Sequence, residues 1–249
     1  MRTLARIGVL AVIVAGLSSP AASTAAMPAR LRELPVSQLQ TSAGELRSLH
    51  SGVTYQASRF PLALRLTPPD GSWAGAQWES GRLPAEQVER LGIRDQGGPP
   101  HFGWAAVGHA GSTPAGFPRG LIVIMTAYAR TPSLAATVHG LRTRGHGATY
   151  DESVPVELAG LSGVQFDGQR NPAVTHIFVP FSSISHGGGA FPSARDAFEV
   201  FGTVFRIIVL NPRGKTIVVC IDPVALPTDQ FPAFLAKADQ ILKTLRFPR

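Results

Sequence analysis

The stretch "TVFRIIVLNPRGKTIVVCIDP", Thr203 to Pro223, decides the fold class. Two runs rich in β-branched and aromatic residues flank a turn signal, which is the pattern of a β-hairpin. Asn211-Pro212-Arg213-Gly214 puts Asn at i, Pro at i+1 and Gly at i+3, the preferences of a type I turn. Ile217 to Ile221 is apolar at every position. A strand of that kind expects cover on both faces rather than one face in water.

The residues that follow supply cover. "TDQFPAFLAKADQILKTLRF" carries Phe231, Phe234, Leu235, Ala238, Ile241, Leu242 and Leu245 at helical spacing, with Thr228 or Asp229 as the expected cap. Lys243 and Arg246 lie near its negative end. Upstream, "TPSLAATVHGLRTRGHG" predicts a second helix, with Thr131 as cap, Pro132 in the first turn and Leu134, Val138 and Leu141 on one stripe. "VPVELAGLSGVQFDGQ" predicts strand, glycine turn, strand, and "THIFVPFS" a further strand.

Nearer the start, "FPLALRLTPPDGSWAGAQWE" predicts two strands around the Pro68-Pro69-Asp70-Gly71 turn. "HFGWAAVGHA" and "GLIVIMTAYA" are the next two, and Leu121 to Met125 is again a continuous apolar run. "GRLPAEQVERLGI" suits a short helix, ended by "RDQGGPP". The expected fold is α+β: a mostly antiparallel sheet of about seven strands, packed by the C-terminal amphipathic helix and the mid-chain helix. It occupies residues 53–249 as one domain, a size that suits 249 residues with 44% hydrophobic and 16% charged content.

The N-terminus predicts export. Arg2 and Arg6 precede the apolar run Ile7 to Leu17, and "SSPAASTAA" offers cleavage near Ala26. That is the three-part layout of a signal peptide over residues 1–26, with an apolar run too short for a stable anchor. No later apolar run has membrane length, so no transmembrane segment is expected after cleavage. Residues 27–52 read as an N-terminal tail with a short helix around Ala43 to Leu49, since Pro28 and Pro35 oppose anything longer. Cys220 is the single cysteine, so an intramolecular disulfide is impossible, and its place in "TIVVCID" predicts a buried, inert thiol.

The formal charge is +7, or +5 once Arg2 and Arg6 are removed (21 basic less 16 acidic residues). The basic residues are scattered and do not interleave with aromatics, which argues against nucleic-acid binding. They leave a mild positive field toward anionic wall polymers or lipid headgroups, although arginine-rich composition explains it as simply.

Several motifs invite a chemical reading. His186-Gly187-Gly188-Gly189, within "SSISHGGGAFPS", has the letters of an esterase oxyanion loop. The required G-x-S-x-G elbow is missing; "GLSGV" at Gly160 to Val164 has its second glycine one position early. The oxyanion loop of that fold precedes the serine, and no histidine follows His186 to act as base. A site from Ser182, Ser183 or Ser185 with His186 needs geometry that adjacency does not supply. The histidines show no H-x-x-x-H or H-E-x-x-H spacing, which leaves only a metal site assembled across strands from His101, His109, His176 and His186. Gly187 to Gly189 leads to no helix bearing lysine, and the Gly-Lys of "NPRGK" sits on a hairpin turn, so no phosphate loop is present. Asp151, Glu152 and Asp222 form no evident catalytic pair. Trp73, Trp78 and Trp104 suit a ligand groove, although core packing is the commoner place for tryptophan.

The order of elements resembles a group of exported actinobacterial proteins of unknown function. "LRLTPPDGSW" resembles their opening turn, "VPVELAGLSGVQFDG" their glycine turn, and "RIIVLNPRGKTIVVCID" with "FLAKADQILKTLRF" their closing hairpin and helix. The layout over residues 55–247 is also similar to the PsbP-like α/β/α sandwich. That resemblance implies a non-enzymatic binding or assembly module and transfers no catalytic residue. The expected function is an exported cell-envelope or extracellular protein that binds a small apolar or glycan ligand, or an envelope protein. No cofactor and no metal are expected. Trp104, His186 and Arg195 are the candidate ligand-binding residues, with Gly187 to Pro192 as the rim. The alternative is a hydrolase with a non-standard Ser/His site near His186.

Overall fold

The computed structural model describes residues 31–37, 46–79, 102–112, 118–127, 133–144, 147–180 and 197–248. The expected signal segment, the expected helix at 81–93, the Gly187–Pro192 rim and the cap residues Thr131 and Pro132 lie outside them. Three sheets and two helices make up this part, and the fold is α+β.

The hairpin lies inside the main sheet. β13 (Val204–Leu210) and β14 (Ile217–Asp222) pair antiparallel from Leu210↔Ile217 to Arg206↔Ile221. The connection is not the expected type I turn. Pro212–Gly214 form a single 3-10 turn in which Arg213 (φ 51°) and Gly214 (φ 74°) are left-handed. The Arg213 guanidinium donates to the Phe247 carbonyl, a tertiary tie that local turn preference does not foresee. Glycine takes its positive φ there without steric cost.

Outward from β14 come β7 (Pro118–Ala127), β6 (Phe102–Ser112), β5 (Trp73–Glu79) and β2 (Arg47–Ser48). Outward from β13 comes β10 (Leu161–Arg170), whose far edge pairs with both β8 (Ala148–Tyr150) and β9 (Val154–Leu158). Every pairing is antiparallel, and the sheet has nine strands rather than about seven. The extra strands are short: β2 has two residues and β8 three, too few to show a period of two. Ala159 (φ 56°) and Gly160 (φ 73°) link Leu158 to its partner Leu161, the two-residue turn with positive φ at both positions that matches strand twist.

A second sheet joins β1 (Leu31–Glu33), β3 (Thr54–Ala57) and β4 (Leu64–Leu66), with β1 parallel to β3. The leader is therefore woven in where it is described. Ser37 N donates to Gln77 O and Gln77 N to Pro35 O, while Leu34 and Leu49 are buried in the core. The helix expected around Ala43 to Leu49 gives way at Arg47–Ser48, which pair with Ala74 and Gly75 of β5. Completing a sheet edge there overrides a marginal helical tendency. A third sheet pairs β11 (Ile177–Pro180) with β12 (Ala197–Val200).

The two helices cover opposite faces of the main sheet. Ile217, Val219 and Ile221 share one core with α2 (Phe231–Leu242), while Val218 and Cys220 share another with Leu141 of α1 (Leu134–Arg144). That two-sided division satisfies the unbroken apolar run of β14. Phe231, Phe234, Ala238, Ile241 and Leu242 of α2 are buried, as is Leu245 beyond it. Thr228 and Asp229 do not cap α2; with Gln230 they form a 3-10 turn that leads into it. On α1 the described cap is Ser133, whose Oγ accepts from the Ala136 amide at 3.2 Å. Among the described residues no helix is long and apolar enough to cross a membrane.

Candidate functional site

Both helices leave a recess beside them, and the larger lies between α1 and the β8 end of the sheet. It is a groove of about 800 Å³, within the usual range for small-ligand clefts. Leu134, Ala135 and Val138 come from α1, and Ala148, Tyr150 and Val164 from the sheet. His139, Arg142, Thr143, Thr149 and Ser153 also line it, and among the described lining residues none is a carboxylate. Thr143 is already engaged, donating to its own helix at His139 O (2.7 Å).

Tyr150 is the most constrained of these residues. Its backbone pairs with Gly168, and its ring stands edge-on to Phe166 (5.8 Å, 79°) and Phe205 (6.0 Å, 86°). A Cβ on Gly168 would come within 2.2 Å of the Phe205 ring, so a glycine is needed for this aromatic cluster to close. The Tyr150 hydroxyl is buried and has no hydrogen-bond partner among the described residues. Burial pushes its pKa up, with a smaller contribution from Cys220, so it remains an O–H donor. A buried donor without an acceptor costs about 1–3 kcal/mol unless something fills the place.

A second cleft of about 600 Å³ lies between the β9–β10 turn and α2, with Arg206, Asp239, Lys243 and Arg246 in its lining. Two of its cations are engaged. Arg206 grips Asp167 through two hydrogen bonds of 2.7 and 2.9 Å, and Arg246 donates to the Lys243 and Leu245 carbonyls that end α2.

A polar cluster sits where the β4–β5 turn meets α2. The bulge in β6 that follows His109 marks its edge. The ring stands edge-on to Trp73 at 5.3 Å. Its Nε2 lies 3.2 Å from both Ser72 Oγ and Lys237 Nζ. Asp70 accepts from the Ser72 amide (2.8 Å) and from the Ser72 hydroxyl, and these bonds hold its carboxyl below the usual range. The arrangement differs from a catalytic triad, in which the carboxylate orients the histidine and leaves the serine proton to it. Here the carboxylate accepts the hydrogen bond of the serine hydroxyl itself.

Of the residues singled out from sequence, Trp104 is described, while His186 and Arg195 lie outside the described residues. Trp104 is 6% exposed and stacks on Trp78 across the β5–β6 pair (5.7 Å, 7°), and neither groove above has it in its lining. Trp73 is likewise buried. Among the four histidines considered for a metal, His101 and His186 fall outside the description, His109 sits in the cluster above, and His176 faces Glu199 at 3.9 Å. Among the described residues no group of three metal-ligating side chains occurs. Cys220 is buried, and burial with Asp222 beside it raises its thiol pKa well above normal. Asp222 is a structural hub: its carboxylate accepts from the amides of Phe201, Gly202 and Val224, each at 2.9 Å. Burial pushes that carboxyl up, and the three amides pull it back in part.

Sequence reasoning passed over Tyr150 and the Ser72–His109 pair. Nothing local marks them: the first matters because α1 lines the same groove, and the second joins residues 37 positions apart. Compared with known proteins, the sequence matches no family model and no curated protein at a significant level.

Proposed function

We propose that this chain is an exported cell-envelope or extracellular protein that binds a small ligand in the groove between α1 and the β8–β10 edge, without catalysing its conversion. The carrying observation is the groove itself, of ligand size and lined by Leu134, Val138 and Val164 from both α1 and the sheet, beside Tyr150. Arg2, Arg6 and the apolar run Ile7 to Leu17 support export, and the resemblance to a PsbP-like layout agrees with a binding role. The test is extraction of small molecules from protein purified under native conditions from its own organism, beside a Val138→Trp variant that fills the groove. A molecule that accompanies the wild type and is missing from the variant is the expected result. The same molecules in both, or none in either, would count against the groove.

A hydrolase is the second reading, and the observation in its favour is the 3.2 Å approach of Ser72 Oγ to His109 Nε2. Asp70 stands on the serine side of that pair, which weakens it as a nucleophile–base couple. Labelling by a serine-reactive phosphonate probe, lost in both Ser72→Ala and His109→Ala, would favour the hydrolase. No labelling is expected.

A further inference from the structure

We infer that the ligand of the α1 groove is an amphipathic anion, an alkyl chain ending in a carboxylate or phosphate head. This rests on the reading of the groove as a ligand site and adds the chemical class.

The lining divides by chemistry. Leu134, Val138, Val164 and the Tyr150 ring form an apolar surface from two elements, which suits a hydrocarbon chain. The strongest polar group of the described lining is a donor. Arg142 is exposed, carries a full positive charge and has no acceptor function. Among the described residues no aspartate or glutamate lines the groove; Asp151 and Glu152 are neighbours of Tyr150 in the chain but stand outside the lining. His139 is the other titratable side chain on the α1 wall.

The Arg142 cation, with no carboxylate among the described lining residues, selects the head group. An anionic head brings acceptor oxygens and an opposite charge to Arg142, which makes a charge-assisted hydrogen bond. A quaternary ammonium head meets a like charge and brings no acceptor. A sugar head brings many hydroxyl donors, and the described lining offers no carboxylate to take them. Carboxylate and phosphate share the favoured chemistry, and binding measurements separate them.

The experiment is calorimetric titration of the full chain, below the micelle concentration, with four probes of one chain length: dodecanoate, dodecyl phosphate, dodecyl maltoside and dodecyltrimethylammonium. The two anions are expected to bind about tenfold or more tighter than the other two, as one charge-assisted hydrogen bond implies. The tighter anion identifies the head. Arg142→Gln is expected to erase that preference while chain affinity remains, and Arg142→Lys to retain most of it. Equal affinity for all four heads, or a preference that survives in Arg142→Gln, overturns the anion and leaves the groove as a ligand site. Failure of all four probes to bind, or binding that Val138→Trp leaves unchanged, overturns the groove itself.

Discussion

The two faces of the nine-stranded sheet are covered by helices of similar length, yet among the described residues the two helices are packed differently. On the α2 side, five of the helix's twelve residues are buried, and the Phe234 ring lies against Gly120 so closely that a Cβ there would sit 2.3 Å from it. On the α1 side Leu141 is fully buried, but Leu134 and Val138 are only half-buried, and a Cβ added to Gly140 would meet nothing within 4 Å. β14 calls for cover on both faces, since Ile217, Val219 and Ile221 point one way and Val218 and Cys220 the other. The quality of the cover is set by what each helix brings. Phenylalanine, isoleucine and leucine at every turn close the first face. Threonine, histidine and arginine among fewer apolar residues leave a groove on the second. A groove of this kind is a packing deficit on its own face, and binding is one way to offset it.

The comparison breaks most sharply at Phe234. Phe234→Ala should cost about 3–5 kcal/mol, because transfer and cavity terms add where neighbours cannot collapse. Val138→Ala on α1 should cost about 1 kcal/mol or less, because its half-buried side chain loses little transfer free energy. Urea unfolding followed by far-UV circular dichroism measures both, with a shift of midpoint at unchanged slope as the sign of a stability effect alone. Equal losses at the two sites would mean that the faces are packed alike.

How much of this was legible before the structure follows the range of the interactions. The β13–β14 hairpin, the apolar stripe of α2 and the two-sided burial of β14 are written in local periodicity. So is the Gly160 turn, where glycine accepts the positive φ that the two-residue link demands. The turn at Asn211–Gly214 departs from the type I expectation, and there Arg213 donates to the Phe247 carbonyl, 34 residues away in sequence. The strand at Arg47–Ser48 is two residues long and exists because β5 has a free edge to pair. For the site, the tryptophans read as core on grounds of size, and Trp73, Trp78 and Trp104 are buried. Tyr150 left no trace, since "ATYDES" says nothing of a helix that lines the same groove or of a hydroxyl without an acceptor among the described residues. Histidine and glycine letters point to residues 186–189, whereas His109 meets Ser72 and Lys237, which lie far from it in sequence.

The same substitution made on each face carries the comparison to smaller effects. Gly120→Ala forces a methyl group into the Phe234 ring, which is walled in by its own burial, so overpacking should cost about 1–3 kcal/mol. The contact to be relieved is side chain against side chain, at 2.3 Å, and a double variant with Phe234→Leu should recover part of the loss. Gly140→Ala places the same methyl group in open space inside a helix. Alanine there should stabilise the protein by about 0.5–1 kcal/mol through helix propensity and a less flexible unfolded chain. Opposite signs from one chemical change, read as midpoint shifts in the same urea series, would locate the slack on the α1 side. A loss at Gly140 as well would show that the space beside α1 is already occupied, and occupation by a bound molecule would appear as a loss that vanishes once the protein is stripped and refolded.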